Sequence, residues 1–258
     1  MKSVIDRMAK KPLKKLDSAQ LTLLLQRMVF SQPENFEFTK VQDAIELAAY
    51  LHEGQTRANR ANLPRTPYIE HPLRNAIRVL RWGVKDENTL NAAILHDVVE
   101  DSAKKIYELV HARKPEKTVS EEELREVAIQ FISDSFGAEV ARIVLAVSND
   151  ILPKDIERVL RYANYLSHVR DAIRNDPAVF IVKLSDFVDN ACGLYHNDFG
   201  ANREKIVGMA TKYLPVVDVF ENELPHVKDG LMVDDEVIAQ MYKHLSDART
   251  RLIAIIEA

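Results

Sequence analysis

With 258 residues, 47% hydrophobic and 29% charged, the chain can bury a sizeable core, as one large domain or a domain with an appendage. A net charge of −4 argues against a nonspecific nucleic-acid coat, and a single cysteine excludes an internal disulfide or a thiolate zinc cage. The basic stretch from Met1 to Asp17 lacks the apolar run of a signal peptide and no stretch of about 18 apolar residues appears, so a cytoplasmic setting without membrane insertion is expected.

Helical periodicity runs along the chain, seven glycines leave few positive-φ turns, and strand alternation is lacking; the fold class is all-α. Leu21, Leu24, Leu25 and Met28 mark a first helix, capped by Asp17 or Ser18. A second runs from Phe38 to about Arg57, with Ala44, Ile45, Ala48, Ala49 and His52 on one face. Gln55–Pro67 holds two prolines and several basic residues and reads as a loop. Pro72 starts the next helix, and Asp86 caps the one that carries His96-Asp97-Val98-Val99-Glu100-Asp101. A Lys-rich loop at Ala112–Thr118 leads to a capping box at Ser120–Glu123, whose helix ends before Gly137. Helices over Glu139–Val147, Asp155–Arg174 and Ala178–Tyr195 follow, separated by breaks at Pro153 and Asp176-Pro177. From about Asn202, two last helices flank a turn at Pro225–Gly230. The chain divides into an N-terminal helical segment (1–37), a central domain (38–200) and a C-terminal helical extension packing on it (201–258).

His96, Asp97, Glu100 and Asp101 put four ionisable groups into six positions beside the apolar run Ala92-Ala93-Ile94-Leu95. Burying unpaired charge is costly, and a divalent cation is the simplest compensating partner. On a helix, His96 lies a turn below Glu100 and Asp97 a turn below Asp101, which is the spacing of two ligands followed by acid/base groups. His-Asp pairs also occur without metals, but the apolar flanks and the added Glu-Asp favour one here. His52 and Asp186 stand on apolar stripes too, with Asn190 one turn after Asp186. A histidine on such a face is often a plain core residue, whereas an aspartate is seldom buried unpaired. His52, His96, Asp97 and Asp186 together offer two imidazoles and two carboxylates, a set suited to Mn²⁺, with Fe²⁺ or Zn²⁺ as the other candidates.

The segment Ala93-Ile94-Leu95-His96-Asp97-Val98-Val99-Glu100-Asp101-Ser102 resembles the signature of the HD phosphohydrolases, and more narrowly the hydrolase domain of the Rel/Spo alarmone enzymes. His52-Glu53-Gly54-Gln55-Thr56-Arg57 resembles that family's first metal histidine and its Gly-Gln-x-Arg continuation. Pro67-Tyr68-Ile69-Glu70-His71-Pro72 matches its Pro-Tyr-Ile-x-His-Pro element. Val182-Lys183-Leu184-Ser185-Asp186 resembles its Val-Lys-Leu-Ala-Asp element, with Asn190 at the matching Asn. The four occur in family order, and no synthetase segment is recognisable after them, so the likeness is to a small alarmone hydrolase of the metazoan SpoT-like kind.

The resemblance implies an HD-domain helical bundle and Mn²⁺-dependent removal of the 3′-pyrophosphate from ppGpp or pppGpp, with (p)ppApp as an adenosine alternative. It implies His52, His96, Asp97 and Asp186 as metal ligands, and Glu100 and Asp101 as the groups that activate and position water. A highly anionic nucleotide needs cations, for which Arg57 and Lys183 are best placed and Arg60 and Arg65 are weaker candidates, since loop arginines are as often simply solvated. Asn190 adds a polar contact, while Tyr162 and Tyr165 suit either base or ribose contact or core packing. His71 reads as an outer or helix-start residue rather than a ligand. The chain departs from the family at Phe187-Val188-Asp189, where Arg-Leu-His is usual, and at Ala58, where Lys is usual. The expected partner is a small-molecule nucleotide, not a nucleic-acid polymer or a membrane. Two other readings stand beside it: an HD phosphohydrolase for a nucleotide monophosphate or NADPH, and a non-catalytic binding module or antitoxin. Leu252, Ile253, Ile255 and Ile256 suit a homo-oligomer interface or the monomer's own core.

Overall fold

The computed structural model describes residues 4–32, 37–57, 65–194 and 199–258. After a short helix α1 (Val4–Ala9) and a 3₁₀ turn (Leu13–Lys15), α2 (Ser18–Phe30) begins with the capping box of Asp17 and Gln20. Helix α3 (Phe38–Leu51) stops six residues short of Arg57. The chain turns through His52–Gly54, and Gly54 takes φ +76°, a conformation that glycine adopts without strain. His52 is thus the residue that ends α3. The loop expected over 55–67 carries two-residue strands at its ends, β1 (Thr56–Arg57) and β2 (Thr66–Pro67), which form the only sheet among the described residues.

Helices α4 (Glu70–Arg81), α5 (Glu87–Leu95) and α6 (Val98–His111) follow, with Asp86 accepting from the Thr89 amide at 2.8 Å to cap α5. The His-Asp motif does not lie on one continuous helix. The chain leaves α5 after Leu95, and Asp97 (φ −96°, ψ −10°) becomes the N-cap position of α6. The Asp101 amide donates to the Asp97 carbonyl at 2.9 Å, which restarts the ladder. Ser120 and Glu123 form the expected capping box on α7 (Glu121–Phe136); α8 (Ala138–Val147), α9 (Arg158–Ile173) and α10 (Pro177–Leu194) complete the central run. The end of the chain differs from expectation. Helix α11 (Phe199–Leu231) passes through Pro215 and Pro225, and the turn to α12 (Asp235–Glu257) comes at Met232. Gly230 is a packing glycine, because a β-carbon there would collide with the Pro177 ring.

The helices form two compact units. The first comprises the chain up to Gln55 with Pro67–Ser148, and the second Thr56–Thr66 with Asn149–Ala258. In the first, α4 packs on α2 and α5, and α5 packs on α3 and α8. Every residue of α4 from Glu70 to Leu80 is buried. A helix buried all round must satisfy its polar groups internally. Arg74 pairs with Glu70 at 3.3 Å, Ser18 donates to Glu70, and Arg78 donates to Asn75 at 3.0 Å. Burial still raises the Glu70 pKa, with Arg74 and Ser18 opposing it. In the second unit, α10 packs on α9, α11 and α12, and Phe220 meets Phe180 and Phe187 at centroid distances of 5.5 and 5.2 Å. Leu252 and Ile255 are buried, whereas Ile253 and Ile256 are exposed. No helix among the described residues is long and apolar enough to cross a membrane.

Leu90, fully buried in α5, should cost about 2–5 kcal/mol when changed to Ala, whereas Ile253→Ala should cost far less. Urea unfolding of the two variants beside the parent chain measures this.

Candidate active site

Two histidines and one aspartate of the first unit bring ligand atoms within 4.8 Å of one another: His71, His96 and Asp97. His96 Nε2 lies 3.2 Å from His71 Nε2 and 3.2 Å from Asp97 Oδ2, and His71 Nε2 lies 3.4 Å from the same oxygen. A cation held at roughly 2.0–2.2 Å from N and O ligands spaces those ligands by about this much. The tautomer fits as well. His96 Nδ1 lies 2.9 Å from the Ala93 carbonyl, so it carries the proton and Nε2 presents a lone pair to the cluster. Asn75, whose carbonyl oxygen accepts from Arg78, turns its amide toward both imidazoles at 3.4 and 3.5 Å. Burial alone would raise the Asp97 pKa, but the His96 and His71 imidazoles hold it well below the usual carboxylate range. The cluster could hold a divalent cation.

The histidine that meets His96 and Asp97 is therefore His71, for which the sequence reading had named His52. Because α3 ends at Leu51, His52 leaves the apolar stripe that seemed to carry it. Its Nδ1 lies 2.8 Å from Gln55 Oε1, and its ring stacks on Tyr68 at 4.5 Å. Burial lowers its pKa, which the Gln55 contact opposes. With Nδ1–H donating to Gln55, Nε2 is a buried acceptor that meets no hydrogen-bond partner among the described residues. A signal for His71 was present in the sequence. His71, Arg74, Asn75 and Arg78 follow the i, i+3, i+4, i+7 spacing of one helical stripe, polar within an otherwise apolar segment. Pro72 beside it marks a helix start, and by sequence alone His71 reads as an outer or helix-start residue.

Glu100 and Asp101 occupy the first turn of α6, where the helix dipole favours acidic groups. Both are exposed. Loss of hydration, and then the Asp97 carboxylate, push the Asp101 pKa up to about 6, against an opposing hydrogen bond from Tyr68. That is the range of a group able to exchange protons near neutrality.

The remaining expected residues lie in the second unit. Asp186 is buried on α10 and accepts from Asn190 at 2.6 Å, and Arg57 donates to the Asn190 side-chain oxygen. Lys183, also buried on α10, sits 5.9 Å from the Tyr165 ring centroid. Lys212, which the sequence reading did not single out, lies closer, at 3.6 Å. Tyr162 and Tyr165 are half-buried on α9, and Tyr165 meets Tyr213 edge-on at 6.3 Å. Arg65 is engaged locally by Thr56. Phe187 is buried against Tyr213 and Phe220, and Asp189 is buried as well. Ala58 and Arg60 lie outside the described residues.

A family model described as HD domain matches residues 44–204. The chain is 30% identical over 181 residues to a guanosine-3′,5′-bis(diphosphate) 3′-pyrophosphohydrolase of Aquifex aeolicus (strain VF5), covering 70% of this chain and 21% of that protein. It is 33% identical over 157 residues to the guanosine-3′,5′-bis(diphosphate) 3′-pyrophosphohydrolase MESH1 of Mus musculus, and 32% identical to MESH1 of Homo sapiens. Each MESH1 alignment covers 60% of this chain and 69% of the relative. The chain thus spans about a fifth of the bacterial relative and about two thirds of the animal ones.

Asp101 yields a pH prediction for the metal-free protein. Its folded pKa of about 6 exceeds its ordinary value of 3.8, so between these pH values the folded chain binds more proton than the unfolded chain. Its contribution is present below the lower value and is lost as pH rises through the upper one. Relative to Asp101→Asn, the parent should lose stability between about pH 4 and 6. Urea unfolding in chelator, repeated across that range, checks this; parallel stability curves would contradict it.

Proposed function

The chain belongs to the HD domain family, and on that premise we propose that it is a Mn²⁺-dependent alarmone hydrolase releasing pyrophosphate from ppGpp or pppGpp. The observation that carries the reading is the convergence of His71, His96 and Asp97 one helical turn from two further carboxylates. The names of the animal and bacterial relatives supply the substrate. The ligands are His71, His96 and Asp97, and Asp186 keeps the ligand role implied by the resemblance. This mixed nitrogen and oxygen set, without thiolate, suits Mn²⁺.

A bound divalent cation would supply positive charge that lowers the pKa of water and offsets developing phosphoryl charge. The chain's own residues do the rest. Asp101 and Glu100, on the turn that follows Asp97, take a proton from the attacking water. The water oxygen adds to the phosphorus attached to the 3′-oxygen, the P–O3′ bond breaks, and that oxygen leaves with a proton. Free pyrophosphate and GDP or GTP are the products. Arg57 offers a forked donor for phosphate oxygens, with Asn190 orienting it, and Lys183 adds a buried charge. Tyr162 and Tyr165 supply aromatic faces for the nucleoside.

A second reading, hydrolysis of another phosphorylated nucleotide such as (p)ppApp, a monophosphate or NADPH, is favoured by Phe187. That position usually carries arginine in the enzymes this chain resembles; here it is packed against Tyr213 and Phe220 and brings no charge.

Purified protein with Mn²⁺ should release pyrophosphate from ppGpp and leave NADPH and nucleotide monophosphates intact. Products identified by chromatography decide, and metal-loaded protein inert toward ppGpp would sink the first reading. The double change Glu100→Gln with Asp101→Asn should lower kcat by roughly 10²–10⁴ while Mn²⁺ still binds. His71→Ala should weaken Mn²⁺ binding by at least about tenfold, and more than His52→Ala does. Titration calorimetry with Mn²⁺ alone ranks the two histidines.

A further inference from the structure

Tyr68 stands three residues before His71 and enters the centre beside the groups given metal and acid/base roles. Its hydroxyl donates to Asp97 Oδ2 at 2.7 Å. That oxygen is the one facing both His71 Nε2 and His96 Nε2. The ring is held on two sides, stacked on His52 at 4.5 Å with 26° between planes and edge-on to His71 at 5.8 Å with 81°. The backbone is pinned as well: Tyr68 N–H donates to the Gln55 carbonyl at 3.0 Å, and the Tyr68 carbonyl accepts from the His71 amide at 2.9 Å. Gln55 therefore fixes His52 through its side chain and Tyr68 through its main chain.

We propose that Tyr68 is a positioning residue of the metal centre, whose hydroxyl holds the Asp97 carboxylate in its ligating orientation. This rests on the reading of His71, His96 and Asp97 as a metal site, not on the identity of the substrate. A carboxylate oxygen has lone pairs for both a cation and one donor, so the phenol remains bound when the cation arrives. A phenol carries a single proton, and here it donates that proton to Asp97. It does for an oxygen ligand what the Ala93 carbonyl does for His96, namely fix the orientation of the group from behind.

The test is Tyr68→Phe, which keeps the ring between His52 and His71 and removes only the hydroxyl. Mn²⁺ affinity, measured by calorimetry without substrate, should weaken roughly 10–100-fold, while the thermal midpoint in chelator stays within about 2 °C of the parent. On a substrate the parent hydrolyses, kcat at saturating Mn²⁺ should fall and KM should hold. Tyr68→Leu, which also removes the ring, should lower the midpoint in chelator in addition to weakening Mn²⁺. Unchanged Mn²⁺ affinity in Tyr68→Phe, whether or not the midpoint drops, overturns the proposal and leaves Tyr68 a packing residue. If the parent itself binds no Mn²⁺, the metal reading has failed before the variant is considered. A parent that binds Mn²⁺ but spares ppGpp refutes the substrate assignment alone.

Discussion

Three electron-rich atoms meet at the centre of the first unit: two imidazole nitrogens and one carboxylate oxygen, at 3.2–3.4 Å from one another. Left alone, facing lone pairs repel, and the arrangement is stable only with a proton or a cation among them. Burial would raise the Asp97 pKa, and the His96 and His71 imidazoles drive it down instead. Much of the surrounding structure serves this demand. Ala93 fixes the His96 tautomer, Asn75 donates toward both imidazoles, and Tyr68 holds the carboxylate.

The scaffold that delivers these groups is itself polar where a core is usually apolar. Helix α4 is enclosed on all sides yet carries Glu70, His71, Arg74, Asn75 and Arg78. Each internal pairing along it is a condition for the helix to be buried, and the stripe that bears the pairs also presents His71. The break between α5 and α6 has a comparable consequence. It frees Asp97 from a helical ladder and places Glu100 and Asp101 at a helix start, where acidic groups are favoured. Acidity next to a cation site suits proton handling, but it repels an anionic substrate. Arg57 and Lys183 belong to the second unit, with the aromatic rings of Tyr165 and Tyr213.

The all-α class, most helix starts and the His96-Asp97 pair were legible in the sequence, because they depend on local signals. Asp17, Asp86 and Ser120 cap their helices as side-chain chemistry dictates, and apolar periodicity marks the buried faces. Local signals also misled where distant packing outweighed them. Gly230 looked like a turn, but it is small because Pro177 lies against it, and α11 runs on through Pro225. His52 reads as part of the apolar stripe of α3, but that helix stops at Leu51 and leaves the residue at its end.

The sequence by itself determined the chemistry available: imidazoles and carboxylates without thiolate, in motifs resembling those of a hydrolase family. Only the tertiary structure decided which imidazole joins His96 and Asp97, and that Tyr68 stands behind the carboxylate. The physical reason is one of range. Spacing along a chain reports which side chains share a face of one helix, as with Leu21, Leu24 and Leu25 on α2. The centre is built from α4, from the junction of α5 and α6, and from the turn after α3, and their mutual approach is set by core packing rather than by any local pattern.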